Sequence, residues 1–219
     1  MKTLALISQK GGSGKTTLAI HLAVAAELAG QATVVIDLDP QASTASWKDS
    51  RTNEAPSVVS AQASRLNAVL EAARSGGADL AIIDTSPASE SATLTAARSA
   101  DLLLVPCRPA ILDLRAIGST IDLARIAGKP CAVILNAVPP RGSLSAEATR
   151  AVEGYGAEVV PVTIGQRSAF MHSLTLGQTA LEYDPRGKSA CEIVQLYDWL
   201  CKQMRMDTCE KRKPRKRTP

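Results

Sequence analysis

The stretch "TLALISQKGGSGKTTLAIHLAVAAELAG" constrains this chain more than any other. A short apolar run (3–8) feeds a glycine-rich turn, which opens directly onto an alanine-rich helical pattern (16–29) closed by Gly30. A phosphate-binding loop requires this strand–loop–helix context. Gly11, Gly12 and Gly14, with Ser13 and Thr17 beside them, let backbone N–H groups close on phosphate oxygens without Cβ obstruction. The helix N-terminus adds its partial positive charge. In such a loop Lys15 neutralises the outer phosphates and the Thr16 hydroxyl ligates Mg²⁺. The usual pattern places glycine at position 9, where this chain has Gln9 followed by a second lysine, Lys10.

Beyond the loop, short apolar runs alternate with helical patterns. Strands are predicted over 32–39, 79–86, 101–107, 131–138 and 158–164, and helices over 64–75, 90–100, 112–128 and 145–156. A final helix is expected to begin near Ser189, with Ser189 and Glu192 as a Ser-x-x-Glu capping box. Strands apolar on both faces and separated by helices describe one α/β domain, a mostly parallel sheet covered by helices on both faces. Strand order is not readable from this pattern. Two carboxylates, Asp37 and Asp39, close the second strand in "VVIDLDPQAS", and Asp84 closes "LAIID". Ligands of such sheets bind beyond the carboxyl ends of the strands.

Charge is unevenly spread. From Lys202 to Pro219 there are eight Lys/Arg and two Asp/Glu, a net +6, whereas the preceding 201 residues hold 17 basic and 19 acidic groups, a net −2. The expected division is therefore a nucleotide-binding domain over 1–201 and a basic tail over 202–219 with too few apolar groups to fold. The five cysteines show no paired spacing, arguing for reduced, buried thiols rather than a disulfide framework or a zinc site. His21, within the first helix, and His172, in an expected polar loop, have no metal-ligand neighbours at suitable spacing, and Trp47 and Trp199 are expected to be packing anchors. No apolar run approaches the length of a membrane span and the N-terminus is not a signal peptide, so a cytoplasmic protein is expected.

The spacing Lys-Gly-Gly-x-Gly-Lys-Thr at 10–16 resembles the deviant Walker A loop of the ParA/MinD family of ATPases, and "VVIDLDPQAS" resembles that family's Asp-x-Asp-Pro-Gln switch. The resemblance runs to about residue 200. It implies a P-loop ATPase that uses ATP and Mg²⁺ and forms a homodimer with two nucleotides sandwiched between subunits. Lys10 would reach the nucleotide of the other subunit, Asp39 would orient the attacking water, and Asp37 and Asp84 would lie at the metal with Thr16. Asn136 in "AVILNAVPP" and the Pro161–Thr163 stretch in "VPVTI" would stand beside the adenine. "LLLVPCRPAILDL" resembles the family's Pro-x-x-x-Asp turn, with Asp113 at the matching place.

The segment after 160 looks like the C-terminal part of short plasmid-partition ParA proteins. That likeness implies a nucleoid-associated ATPase, bound to DNA without sequence preference and released when a ParB-like centromere-binding partner triggers hydrolysis. No arginine finger is evident in cis, so slow intrinsic turnover is expected. Arg167 matches a DNA-contacting arginine of the family, and Arg186 and Lys188 lie near it in sequence. Lys211, Arg212, Lys213, Arg215, Lys216 and Arg217 would add phosphate contacts weakened by salt. One other reading stays open: an ATP-gated positioner of a conjugation, chemoreceptor or microcompartment complex. A small-molecule ligase or kinase is disfavoured by the lack of an acceptor-substrate constellation. A MinD-like membrane positioner is disfavoured by the basic, weakly apolar terminus.

Overall fold

The computed structural model describes residues 1–87, 89–141 and 143–206. Seven strands form one parallel sheet: β1 (Lys2–Leu6), β2 (Thr33–Asp37), β3 (Ser57–Ser60), β4 (Leu80–Asp84), β5 (Leu102–Cys107), β6 (Cys131–Val138) and β7 (Glu158–Gly165). Their order is β3-β2-β4-β1-β5-β6-β7, so both β1 and β4 are central. Every residue of β2, β4 and β5 is buried, as runs apolar on both faces require. Register has a functional consequence. Asp37 pairs with Asp84 across β2 and β4, and Asp84 pairs with Leu6 across β4 and β1. Both carboxylates therefore stand level at the carboxyl edge, where β1 gives way to the glycine-rich loop.

Helices α1 (Lys15–Leu28), α2 (Ser43–Asp49), α3 (Leu66–Ser75), α4 (Glu90–Ser99), α5 (Ile111–Ala127), α6 (Leu144–Gly154), α7 (Ser168–Thr175), α8 (Ala180–Tyr183) and α9 (Lys188–Met204) complete the fold. One core layer joins α1, α8 and α9 to one face of the sheet through residues such as Leu22, Leu181, Leu196 and Tyr197. A second joins α3, α4 and α5 to the other face through Leu70, Ala97 and Ile121. α1 is apolar nearly all round, with Leu18 through Ala26 buried, because α2, α8 and α9 cover it beyond the sheet.

Several elements depart from expectation. α2, β3, α7 and α8 arise where no periodic pattern marks them, and His172 lies in α7, not in a loop. The capping box expected at Ser189 is absent. Gly187 is the N-cap of α9 and Ser189 is buried inside it, while Glu192 accepts hydrogen bonds from the Gly165 amide at 3.0 Å and from Arg167. A capping box does form at Thr179 and Glu182, opening α8. α9 ends at a buried Met204, as the pattern through "ACEIVQLYDWLCKQM" leads one to expect, so the boundary drawn at residue 201 falls inside the helix. The basic residues Lys211, Arg212, Lys213, Arg215, Lys216 and Arg217 lie outside the described residues. Cys107 and Cys201 are buried as expected, but Cys131 is only partly buried and Cys191 is exposed. Burial pushes the Cys107 and Cys131 thiols up to about 12, which leaves them unreactive. Trp47 is buried against Ile20 and Val24, and Trp199 packs on the α9 layer.

His21 is wholly buried between α1 and α8. The Ala180 amide donates to its Nε2 at 3.0 Å, so the proton sits on Nδ1, which donates to the Thr17 carbonyl at 2.7 Å. Its ring meets Phe170 edge-on at 5.1 Å. The Ala180 contact needs the neutral imidazole, and burial lowers its pKa to about 4, outweighing the Thr17 carbonyl and Glu182, which favour the charged form. Unfolded chain takes up this proton below about 6.5 and the fold refuses it until about 4, so stability falls as pH drops through that window. The expected loss is about 3 kcal/mol. Melting temperatures followed from neutral pH to pH 4.5 should fall more steeply for wild type than for His21→Leu. Parallel curves would assign the acid sensitivity to other groups.

Candidate nucleotide-binding site

The loop between β1 and α1 closes over the carboxyl edge of the central strands. Gly12 (φ 72°) and Gly14 (φ 98°) are in the left-handed region, and Gly14 is also the N-cap of α1. A Cβ at Gly14 would stand 2.1 Å from the Asn136 side-chain nitrogen, so glycine is required for space as well as conformation. That nitrogen donates to the Ser13 carbonyl at 2.7 Å. Asn136 thus braces the loop from the end of β6 and also lines the crevice beside the loop, where the adenine contact is expected of it.

The lysines are held by the loop and its neighbour. Lys15 is 6% exposed, and its Nζ donates to the carbonyls of Ser8 at 3.2 Å and Lys10 at 3.4 Å. Burial lowers its pKa, opposed by the carboxylates of Asp84 and Asp39. Lys10 turns the other way and its Nζ pairs with Asp113, in the first turn of α5, at 3.1 Å.

The carboxylates divide the work. Asp37 accepts from the Asp39 amide at 3.0 Å and the Thr44 amide at 3.1 Å, one on each oxygen. It therefore anchors the turn into α2, and burial raises its pKa. Asp84 accepts from the Thr44 hydroxyl at 3.2 Å on one oxygen, while its other, Oδ1, is buried without a hydrogen-bond partner. Burial pushes the Asp84 carboxyl up to about 6, against a hydrogen bond from the Thr16 side chain. A buried carboxylate oxygen with free lone pairs beside a threonine hydroxyl suits Mg²⁺, which takes few protein ligands and keeps water and phosphate oxygens. Asp84 and Thr16 fit that role best; Asp37, expected at the metal, has both oxygens engaged by backbone. Asp39 is half-buried, and its Oδ1 accepts from the Gln41 amide at 3.0 Å.

Beside the loop lies a crevice of about 330 Å³, lined by Gly14, Thr17 and Leu18 below, Arg108, Asn136 and Ala137 at strand ends, Ile164 to Arg167, and Phe170, Met171 and Leu174 of α7. Its volume and apolar lining with a few polar groups suit a nucleoside. Pro161 and Thr163 are exposed on β7 and do not line it; its wall begins at Ile164. Arg108, Gln166, Phe170 and Met171 carried no signal in the sequence, because only the sheet order brings the ends of β5 and β7 around the loop. Arg167 is held by Glu192, with Nε 3.1 Å from Oε1. Arg186, in the turn before α9, and Lys188, the first residue of that helix, are exposed, and the same helix carries Glu192. Among the described residues no cluster of three or more His, Cys, Asp or Glu side chains forms a metal site, and no helix is long and apolar enough to cross a membrane.

A family model described as the CobQ/CobB/MinD/ParA nucleotide-binding domain matches residues 4–180. The chain belongs to this family. It is a P-loop, ParA-type ATPase. A "Maintenance of carboxysome distribution protein A" from Gloeobacter kilaueensis is 34% identical over 209 residues, covering 94% of this chain and 95% of that protein. "Chromosome partitioning protein ParA" of Caulobacter vibrioides is 26% identical over 234 residues, covering 84% and 88%. Among solved structures, an ATP complex of Cyanothece McdA superposes with a TM-score of 0.74 at 18% identity, covering 95% of this chain and 98% of that one. With the sheet order and loop geometry, these likenesses place the chain among ParA-like positioning ATPases.

Proposed function

We propose that this ATPase distributes a proteinaceous microcompartment, and that DNA partition, the first expectation from the sequence, is the lesser reading. The observation that carries the choice is the 34% identity spanning nearly the whole of this chain and of a carboxysome distribution protein. The ParA relative is matched at lower identity and coverage.

In the proposed cycle, ATP occupies the loop with its base in the crevice beside Phe170. Lys15 exchanges its carbonyl partners for phosphate oxygens, and two subunits close face to face with Lys10 of each reaching the other's triphosphate. Thr16 and Asp84 would hold Mg²⁺, which when bound offsets charge on the transferred phosphoryl group. Asp39, at the mouth, orients the attacking water, and Asp37 keeps the turn that carries it in place. The closed dimer holds nonspecific DNA through Arg167, Arg186 and Lys188, with the basic tail as a further contact, and a cargo-bound partner accelerates hydrolysis to release it. Bound DNA serves as the surface along which cargo is spread, which places the protein in the cytoplasm on the nucleoid.

Deleting the gene in its native host separates the cargoes. Clustered shell-protein foci with unchanged replicon inheritance are expected. Replicon loss with normally spaced foci would transfer the function to DNA partition.

A further inference from the structure

The crevice holds a cation to which no role has been given. Arg108 is the first residue after β5, and it is exposed. Its Nη2 lies 3.6 Å from where a Cβ on Gly12 would stand, so the guanidinium rests against the phosphate loop itself. The same side chain lines the crevice opposite Thr17 and Asn136.

The neighbouring cations are engaged. Lys10 pairs with Asp113, Lys15 is held by loop carbonyls, and Arg167 pairs with Glu192. Among the described residues no carboxylate pairs with Arg108, and the acid nearest along the chain, Asp113, is the partner of Lys10. The loop approaches the arginine through a glycine in the left-handed region, so no side chain on Gly12 stands between guanidinium and loop. An arginine offers a planar fork of donors matched to phosphate oxygens, and charge-assisted hydrogen bonds of this kind are the strong ones.

We infer that Arg108 clamps the phosphates of the nucleotide bound by its own subunit, closing on them from the β5 side while Lys15 holds them from α1. This rests on the ATP-binding reading of the site and not on the choice of cargo. The role is in binding, and is separate from the hydrolysis-accelerating arginine finger that the sequence does not show in cis.

The test measures displacement of a fluorescent ATP analogue by ATP, ADP and AMP, at protein concentrations where wild type is monomeric. The decisive quantity is the ratio of the AMP dissociation constant to the ATP one. In Arg108→Ala this ratio should fall at least tenfold, and Arg108→Lys should recover part of it by restoring a point charge. If the alanine variant folds poorly by circular dichroism, Arg108→Gln keeps the bulk and polarity and should show the same fall. An unchanged ratio overturns the clamp, even where all three affinities weaken together, because a packing defect does not count phosphates. Failure of wild type to bind ATP at all would instead sink the reading of the site.

Discussion

Replacing Lys10 with alanine should abolish ATP-driven dimerisation while leaving most of the monomer's affinity for nucleotide. Lys10 is 36% exposed and tied by its ammonium to Asp113, with its backbone carbonyl turned toward Lys15. Its side chain thus stands outside the pocket of its own subunit, and its loss removes no cradle amide and little packing. In the proposed face-to-face dimer, by contrast, two triphosphates would approach one another and each would need a cation from across the interface. Light scattering with a non-hydrolysable ATP analogue should show wild type as a dimer and Lys10→Ala as a monomer. The affinity of the monomer should change by no more than about threefold, and turnover should drop about 100-fold or more, the scale seen when one donor to developing charge is removed. A Lys10→Ala protein that still dimerises on ATP would remove the cross-subunit lysine from the mechanism.

How far the site was legible depended on whether its parts are local in the chain. The loop could be read because strand, glycines and helix are contiguous, and left-handed backbone at Gly12 and Gly14 is what glycine permits. Asp37 and Asp84 could be read as strand-terminal carboxylates, but their division of labour could not. It is set by Thr44, whose amide bonds Asp37 and whose hydroxyl bonds Asp84. Thr44 sits on α2, whose sequence "STASWKD" has no apolar period because burial of Trp47 and two polar contacts hold it. The two Ser/Thr-x-x-Glu spacings make the same point. At Thr179 the glutamate reaches back to the cap, whereas at Ser189 the glutamate of the identical spacing is drawn off by Arg167 and the Gly165 amide. Spacing states what a box requires, and a tertiary partner decides whether it forms.

A second large effect should come from Arg51, which lies outside the nucleotide crevice. Its guanidinium donates to both Glu182 oxygens, at 2.9 and 2.7 Å, and to the carbonyls of Gly177 and Ala55. It also lies over the Trp47 ring at 4.9 Å. The two side chains are only 5% and 17% exposed, so this is a pair shielded from water. Burial acts to raise the Glu182 pKa, but Arg51 and the Thr179 contacts outweigh it and hold the carboxylate below its usual range. Removing one member strands the other charge, at a cost of about 3–5 kcal/mol. Arg51→Ala should therefore melt roughly 10 °C lower. Because α2 loses its hold on α8 while carrying Thr44, nucleotide turnover should fall as well. Glu182→Leu with Arg51→Met removes both charges and should recover part of the lost stability, since the pair and not either residue is the stabilising unit. Single variants that melt within 2 °C of wild type would show the pair to be screened, and α2 would then depend on Trp47 and Thr44 alone.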